Sequence, residues 1–384
     1  MRFLISAGEA SSDFYGSQLI AALRKRVPTA EFFGVGGPAM RAAGFDAIVD
    51  SASIAVVGIT EIVSHLPQIF REFGRLLRAS DERKPDAAIV IDSPGFNFRL
   101  ARKLHGRGIP VFYYVSPQLW AWRSGRIRRV RRYVHKVLVI FPFEASWYRS
   151  RGVDAVFTGH PLADVPLPEI SRADFALQHG LDPDKTWIAL LPGSRQKEVA
   201  LNLEPLLLAA QILHERDDYE FILPKASTLE VAWLADQIER CSANHTMSAP
   251  KMVVTTDARA SLLHARAAVL ASGTATVEAA LIGTPCVVVY RVSPLTWLVG
   301  KPLVKVKLYA MPNLIAGREV VPELIQSNFT PGNVVACLRE IVPDGQARRQ
   351  MLAGLSEVRS ALRPGAEPAA ERAAEVILRS AKNP

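Results

Sequence analysis

The sequence predicts an α/β protein made of two doubly wound, Rossmann-like domains. Three observations predict it. Short apolar segments alternate with helical patterns along the whole chain, a proline-rich stretch interrupts them near the middle, and 384 residues are many for a single core. Alternation of this kind builds parallel sheets with crossover helices, and ligands then bind beyond the carboxyl ends of the strands.

In the first half the strand-like segments are Phe3–Ala7, Phe32–Val35, Ala87–Ile91, Val111–Val115, Val137–Phe141 and Ala155–Thr158. In the second they are Trp187–Leu191, Phe221–Leu223, Met252–Thr255, Ala268–Ala271 and Val287–Tyr290. Helical spacing recurs between them, as at Leu19, Ile20 and Leu23 and again around Leu206–Leu213. The run Pro161-Leu162-Ala163-Asp164-Val165-Pro166-Leu167-Pro168 places three prolines in eight residues, which discourages both helix and central strand. It therefore reads as the linker. The expected division is an N-terminal domain at 1–165, a C-terminal domain at 166–367, and a terminal helix at 368–384 that offers Ala373, Val376 and Ile377 for docking back on the first domain. Two such domains would face each other across a cleft where two substrates can meet.

Composition narrows the class. Hydrophobic residues at 49% and charged residues at 22% suit a globular enzyme rather than a disordered chain. A net charge of +9 favours polyanions: nucleic acid, anionic lipid or phosphorylated substrates. Cys241, Cys286 and Cys337 form no CxxC pair, which excludes a disulfide framework and a cysteine zinc site and points to a reducing compartment. Asp182-Pro183-Asp184 spells DxD, but in a polar turn; no metal is expected. The amino terminus enters a strand directly, and no run reaches the roughly 18 apolar residues of a spanning helix. A cytoplasmic or surface-attached chain is expected.

Four strand-end turns carry chemistry. Ser272-Gly273-Thr274 follows an apolar strand and opens a helix, where free N–H groups and the helix dipole favour an anion such as a diphosphate. Glu278, four residues after Thr274, shares that helix face; it suits two ribose hydroxyls or simply complements its own helix. Pro192-Gly193-Ser194-Arg195 frees a turn, offers Ser194 as a cap, and sets an arginine fork beside a helix start. Gly8-Glu9-Ala10-Ser11-Ser12-Asp13 leads into the first helix, where its polar residues cap that helix or contact a ligand. Asp92 ends an apolar strand before Ser93-Pro94-Gly95, a place for a general base of raised pKa or for a carboxylate bound to backbone N–H groups. Asn313, within Met311–Glu319, can orient a sugar or nucleotide, or belong to an ordinary turn. No turn matches GxGxxG or GxxxxGK[ST].

Three stretches suggest a lipid surface. Ile62, Leu66, Ile69, Phe73 and Leu76 recur at helical spacing, interrupted by Pro67, with Arg71, Arg75 and Arg78 elsewhere, as in a membrane-facing helix or one covering a sheet. Residues 126–136 set Ile127, Val130 and Val134 among dense basic residues that include Arg128 and Arg131, a pattern for phosphate contact or for a solvated face. Leu295 to Tyr309 mixes Trp297, Leu298, Val299, Leu303 and Val304 with Lys301, Lys305 and Lys307. No nucleic-acid recognition fold accompanies the basic stretch, so nucleic acid is not an expected partner.

Together these turns resemble one family nearly end to end, the lipid A disaccharide synthases, glycosyltransferases of GT-B architecture. The resemblance rests on Gly8-Glu9-Ala10-Ser11-Ser12-Asp13, Ile91-Asp92-Ser93-Pro94, Tyr114-Val115-Ser116-Pro117 and Trp120-Ala121-Trp122-Arg123. It continues through Phe141-Pro142-Phe143-Glu144, Thr158-Gly159-His160, Leu191-Pro192-Gly193-Ser194-Arg195, Ala271-Ser272-Gly273-Thr274 with Glu278, and Pro312-Asn313-Leu314 with Ala316-Gly317-Arg318-Glu319. It implies an inverting transfer of 2,3-diacylglucosamine from its UDP donor to 2,3-diacylglucosamine 1-phosphate, giving the β-1,6 disaccharide 1-phosphate and UDP, without a cofactor. It also implies a chain held peripherally at the cytoplasmic side of the inner membrane, against an anionic surface. By the resemblance Asp92 is the catalytic base; Arg195 and Ser194, Ser272–Thr274 and Glu278 bind UDP; Asn313 is functionally important; and Glu9, Ser11 and His160 are cleft residues. The oligomeric state stays open. Two positions depart from the pattern: Gly95 stands where many relatives carry an aspartate, and Ser12 where a glycine is usual. The alternative reading is a non-catalytic, membrane-associated UDP-sugar-binding protein, which would keep Arg195 and Glu278 but have no need of Asp92.

Overall fold

The computed structural model describes residues 1–53, 59–243, 250–301, 304 and 306–382, with the backbone alone for 59–66, 243, 295, 299 and 382. The chain forms two compact units, one of residues 1–164 with 362–384 and one of residues 165–361.

The first unit holds a seven-stranded sheet. Its strands are β1 (Arg2–Ala7), β2 (Glu31–Gly36), β3 (Asp46–Asp50), β4 (Ala87–Ile91), β5 (Val111–Tyr114), β6 (Lys136–Val139) and β7 (Ala155–Phe157). They lie in the order β3-β2-β1-β4-β5-β6-β7, all parallel. The second unit holds β8 (Trp187–Leu191), β9 (Glu220–Pro224), β10 (Met252–Thr255), β11 (Ala267–Ala271), β12 (Cys286–Tyr290) and β13 (Glu323–Ile325). Their order is β10-β9-β8-β11-β12-β13, again all parallel. Both units are thus doubly wound, and each reverses its strand order once: between β1 and β4, and between β8 and β11.

Every strand expected from the sequence lies in or overlaps an observed one. The central strands read as unbroken apolar runs because helices cover both faces, and all five residues of β4, β8 and β9 are buried. The sequence reading lacked β3 and β13. Both are sheet edges, largely half-exposed, and their apolar runs are only three and two residues long (AIV in DAIVD, LI in ELI), too short to mark a strand. β5 stops short of Val115, whose φ of 53° leaves the extended region. The helix Ile59–Arg83 runs straight through Pro67 instead of breaking there.

The carboxyl-terminal helix Ala369–Lys382 packs along the helix Ala10–Arg26 of the first unit. Lys25 pairs with Glu371 (3.3 Å) and Arg26 with Glu367 (2.8 Å) and Glu371. Among the hydrogen bonds that fix the returning chain are those from the Ala369 N–H to Asp164 Oδ2 (2.6 Å), from Arg372 Nε to the Thr158 carbonyl (2.7 Å) and from the His160 N–H to the Leu362 carbonyl (3.0 Å).

Candidate active site

The four turns singled out in the sequence follow β1, β4, β8 and β11, the strands that flank the two order reversals. In each pair the strand ends lie level: Ala7 is opposite Ile91, and Leu191 is opposite Leu270. Each switch point therefore opens a crevice with two helix starts beside it, the place where doubly wound sheets bind ligands.

In the first unit Asp92 and Ser93 take left-handed backbone conformations, with φ of 46° and 43°. Non-glycine residues hold such angles only where neighbours impose them. Here Asn97 and Tyr113 do so. The Asn97 amide, fully buried, donates to the carbonyls of Ile91 (3.0 Å) and Asp92 (2.8 Å) and accepts from the Ser6 hydroxyl (2.7 Å). The Tyr113 hydroxyl donates to the same Asp92 carbonyl at 2.7 Å. The backbone of the turn is thus secured from β1, β5 and the helix Pro94–His105, and the half-buried Asp92 side chain is set at the crevice. Asn97 escaped the sequence reading; its one signal was an amide in the first turns of a helix, directly after the aspartate turn.

The first turn places its residues otherwise than a simple cap. Glu9 is exposed and heads the helix Ala10–Arg26 without a side-chain cap bond, and Ser11 is half-buried. Ser12 is fully buried. Asp13 serves a different helix: its carboxylate accepts from the N–H groups of Gly37 (2.6 Å), Ala39 (2.8 Å) and Met40 (3.2 Å), which caps Pro38–Ala42. His160 is 2% exposed and wedged between the rings of Tyr15 and Phe141. Burial drives its pKa down to about 3, and its Nδ1 already accepts the Leu162 N–H (3.2 Å). Its ring packs between those two aromatic rings, and burial favours its neutral form.

In the second unit the helix Gln196–Asp217 starts from Arg195 with no side-chain cap. Glu198 shapes this turn, accepting from the Ser194 N–H (3.2 Å) and from Arg195 Nη1 (2.9 Å). Gly193 is required: its φ is 133°, and a Cβ there would stand 2.8 Å from Glu198. Ser194 and Arg195 are exposed. Beside them the helix Thr274–Ile282 starts at Gly273, also without a side-chain cap, leaving its first N–H groups for an anion. Ser272 Oγ donates to the Tyr309 carbonyl (2.9 Å) and its N–H to Val289 (2.9 Å), which fixes the turn. Glu278 lies one turn along, partly buried, with Arg259 Nη1 at 3.8 Å. Burial raises its pKa and Arg259 opposes the rise.

Asn313 is fully buried and its amide is used up. Nδ2 donates to the Val321 carbonyl and to Glu323 Oε1 (both 2.8 Å), and Oδ1 accepts from the Val320 (2.7 Å) and Val321 (2.9 Å) N–H groups. In this arrangement each donor and acceptor of the amide has a partner within the protein. Glu323, which the sequence reading missed, also accepts from the N–H groups of Tyr309 (2.9 Å) and Ala310 (2.8 Å). A chain of contacts so runs from Asn313 through Glu323 and Tyr309 to the Ser272 turn.

Of the lipid-surface residues, the side chains of Ile62 and Leu66 and all of Leu303 and Lys305 lie outside the described residues. Phe73 turns inward, edge-on to Phe96 (5.4 Å) against the core, and Ile69 is half-buried. The exposed aromatic ring of that helix is Phe70, 60% accessible. Arg128 and Arg131 are exposed. Trp297 is half-buried near Tyr309 and Lys301, while Leu298 beside it is 73% exposed.

One buried carboxyl braces the loop after β5. Glu144 accepts from Trp120 Nε1 (2.9 Å) and from the Phe141 N–H (3.1 Å). Burial pushes its pKa from 4.5 to about 7, against the pull of those hydrogen bonds. The folded state therefore binds this proton more tightly than the unfolded chain does. Its stabilising share is complete below about pH 4.5 and is lost as pH rises through about 7. Urea unfolding of the wild type should lose roughly 2–3 kcal/mol more between pH 5 and pH 8 than unfolding of Glu144→Gln, whose side chain cannot ionise. Equal losses in the two proteins would refute the assignment.

Two parallel-sheet units, each with an open crevice at its switch point, define the fold class of GT-B nucleotide-sugar enzymes. The UDP-GlcNAc 2-epimerase of Neisseria meningitidis, in a structure bound to UDP-GlcNAc, is similar at a TM-score of 0.65 and 12% identity, covering 100% of both chains. The calicheamicin glycosyltransferase is similar at a TM-score of 0.59 and 16% identity, covering 100% of this chain and 98% of that one. At those identities the likeness is one of fold. Sequence sets the family: the lipid-A-disaccharide synthetase family model matches residues 3–377. The lipid-A-disaccharide synthase of Koribacter versatilis (strain Ellin345) is 55% identical over 381 residues, 98% of each chain. That of Acidobacterium capsulatum is 52% identical, covering 97% of this chain and 94% of that one. The chain belongs to the lipid-A-disaccharide synthetase family.

Proposed function

We propose that the protein joins two acylated glucosamines in a single inverting displacement, with Asp92 as the base and the second unit as the seat of UDP. The acceptor is 2,3-diacylglucosamine 1-phosphate and the donor UDP-2,3-diacylglucosamine. The acceptor 6-hydroxyl oxygen attacks the donor anomeric carbon from the face opposite UDP. Its proton passes to the Asp92 carboxylate, the bond from the anomeric carbon to the diphosphate oxygen breaks, and both electrons leave with UDP. The α-linked donor thereby becomes a β-1,6-linked product.

The placement of Asp92 carries this reading: a carboxylate at the switch point of one doubly wound unit, its backbone constrained by Asn97 and Tyr113. The UDP side is supported by the uncapped helix start at Gly273 and by Arg195 at the neighbouring turn. Negative charge grows on the departing diphosphate, and fixed N–H groups with an arginine fork stabilise it there. Glu278, one helical turn further on, accepts from the ribose hydroxyls. Asn313 acts on the nucleotide at one remove, by holding the segment that carries Tyr309. None of the described helices is long and apolar enough to cross a membrane. The lipid substrates are met at the cytoplasmic face of the inner membrane, with exposed Arg131 of the first unit turned to anionic headgroups and Phe70 to the apolar layer.

Purified protein incubated with both lipids in neutral detergent micelles tests the reading by mass spectrometry. Disaccharide 1-phosphate and UDP in equal amounts, formed only with both substrates present, are the expected result. UDP without disaccharide would indicate hydrolysis, a 2-epimer of the donor sugar would indicate an epimerase, and folded protein that binds UDP but turns nothing over would leave the sugar-binding reading.

A further inference from the structure

Several arginines of the first unit have no part in the transfer chemistry, and they frame a cleft. After β5 the chain runs through a loop braced on both sides: Trp120 is tied to Glu144, and the Tyr148 hydroxyl donates to the Pro117 carbonyl at 3.0 Å. The loop presents Trp122, 43% exposed, with the Arg123 guanidinium over its ring at 4.5 Å. Arg123 has a φ of 53°, an angle that a long side chain holds only under constraint. The turn Ser124–Arg126 then enters the helix Ile127–Tyr133, which packs Ile127, Val130 and Tyr133 against the core and so leaves Arg128 and Arg129 outward. Arg123, Arg126, Arg128 and Arg129 line a cleft of about 380 Å³.

Charge and shape together call for an anion. Among the described residues, none of these four guanidinium groups has a carboxylate partner or a side-chain hydrogen bond. Some arginines elsewhere on the same unit are paired, among them Arg75 with Glu72 (2.7 Å), Arg83 with Asp46 (2.6 Å) and Arg107 with Asp81 (2.6 Å). Arg126 is half-buried. Burial, and then Arg123 and Arg129, push its pKa down, which is the cost an incoming anion would remove. A guanidinium fork matches the oxygens of a phosphate.

Position narrows the anion further. The Tyr113 hydroxyl that bonds the Asp92 carbonyl feels both neighbours: after burial, Asp92 pushes its pKa up, while Arg126 draws it down. The helix Pro94–His105, which starts at the Asp92 turn, packs against the helix Ile127–Tyr133 that Arg126 leads into, so the two turns belong to one neighbourhood of the first unit. We propose that the cleft binds the phosphate monoester of the acceptor lipid and so presents the 6-hydroxyl, across the same sugar ring, to Asp92. The proposal rests on the transferase reading above. Exposed Arg131 and Arg132 would meet a flat membrane as readily as these four; four guanidinium groups that line one open cleft suit a single phosphate.

Arg126→Gln and Arg129→Gln test it in the full chain, assayed in neutral detergent micelles free of anionic lipid. The two acceptors compared are 2,3-diacylglucosamine 1-phosphate and the same lipid without its phosphate. The wild type should lose about tenfold to a hundredfold in kcat/KM when the phosphate is removed. Arg126→Gln should show a similar loss on the phosphorylated acceptor, cease to distinguish the two acceptors, and keep donor KM and UDP affinity within about twofold. A variant with wild-type acceptor KM, or one that still distinguishes the acceptors, overturns the proposal. So does a defect seen only as lost binding to phosphatidylglycerol vesicles, which would assign the cleft to membrane headgroups. Calorimetric titration with soluble glucosamine 1-phosphate separates this from the reaction itself. Binding by the wild type and not by Arg126→Gln would uphold the cleft even if no disaccharide formed; equal binding by both, or by neither, would reject it.

Discussion

Asp92→Asn is expected to lower kcat by about three orders of magnitude while leaving UDP affinity within about twofold of wild type. The substitution exchanges one carboxylate oxygen for an amide nitrogen and preserves shape. Asparagine, like aspartate, tolerates the left-handed conformation that this position requires. Two contacts that hold the turn, from Asn97 Nδ2 and from the Tyr113 hydroxyl, reach the carbonyl of residue 92 and are kept in the variant. The variant should therefore fold as the wild type does, and its loss should lie in proton transfer alone. UDP is proposed to sit in the other unit, at Arg195 and the Ser272–Thr274 turn, so its calorimetric titration is the internal control. Near-normal turnover with intact UDP binding would remove Asp92 from the role of base and leave it as an orienting group.

Much of this arrangement was legible in the sequence because it is written in local chemistry. Apolar runs such as Ala87–Ile91 and Trp187–Leu191 mark central parallel strands, whose two buried faces leave no polar alternation. The glycine, serine and aspartate residues after them mark strand-end turns, and the structure puts all four turns at the switch points. What escaped depends on partners remote in the chain. β3 and β13 are edge strands identified by pairing rather than by composition. Asp13 looks like a cap for its own helix, yet its acceptors face N–H groups some 24 to 27 residues away. Phe73 fits a lipid-facing period, but Phe96 from the next helix covers it and leaves Phe70 outside. His160 looks like a cleft residue by motif, while the rings of Tyr15 and Phe141 enclose it. A linear pattern reports which face is apolar; it does not report which neighbour fills it.

Asn313→Ala is expected to destabilise the second unit by about 3–5 kcal/mol and to weaken UDP binding in the same variant. The amide meets four partners, and alanine leaves the Val320 and Val321 N–H groups and the Val321 carbonyl without theirs in a buried place. Each orphaned group costs about 1–3 kcal/mol, reduced where the segment relaxes toward water. Glu323 loses a donor at the same time, and with it some of its hold on the N–H groups of Tyr309 and Ala310. Tyr309 in turn receives the Ser272 hydroxyl, so a shifted Tyr309 carries the Ser272 turn with it. Asn313→Asp sharpens the argument: it is nearly isosteric, but an oxygen in place of Nδ2 would face Glu323 Oε1 where 2.8 Å now separates donor from acceptor. That variant should be no more stable than the alanine one near neutral pH. Chemical unfolding and UDP calorimetry on both variants decide between two roles. A side chain that binds the nucleotide directly would lose UDP affinity at undiminished stability. A side chain that holds the turn loses both together, because the anion site at Gly273 is only as well formed as the segment packed behind it.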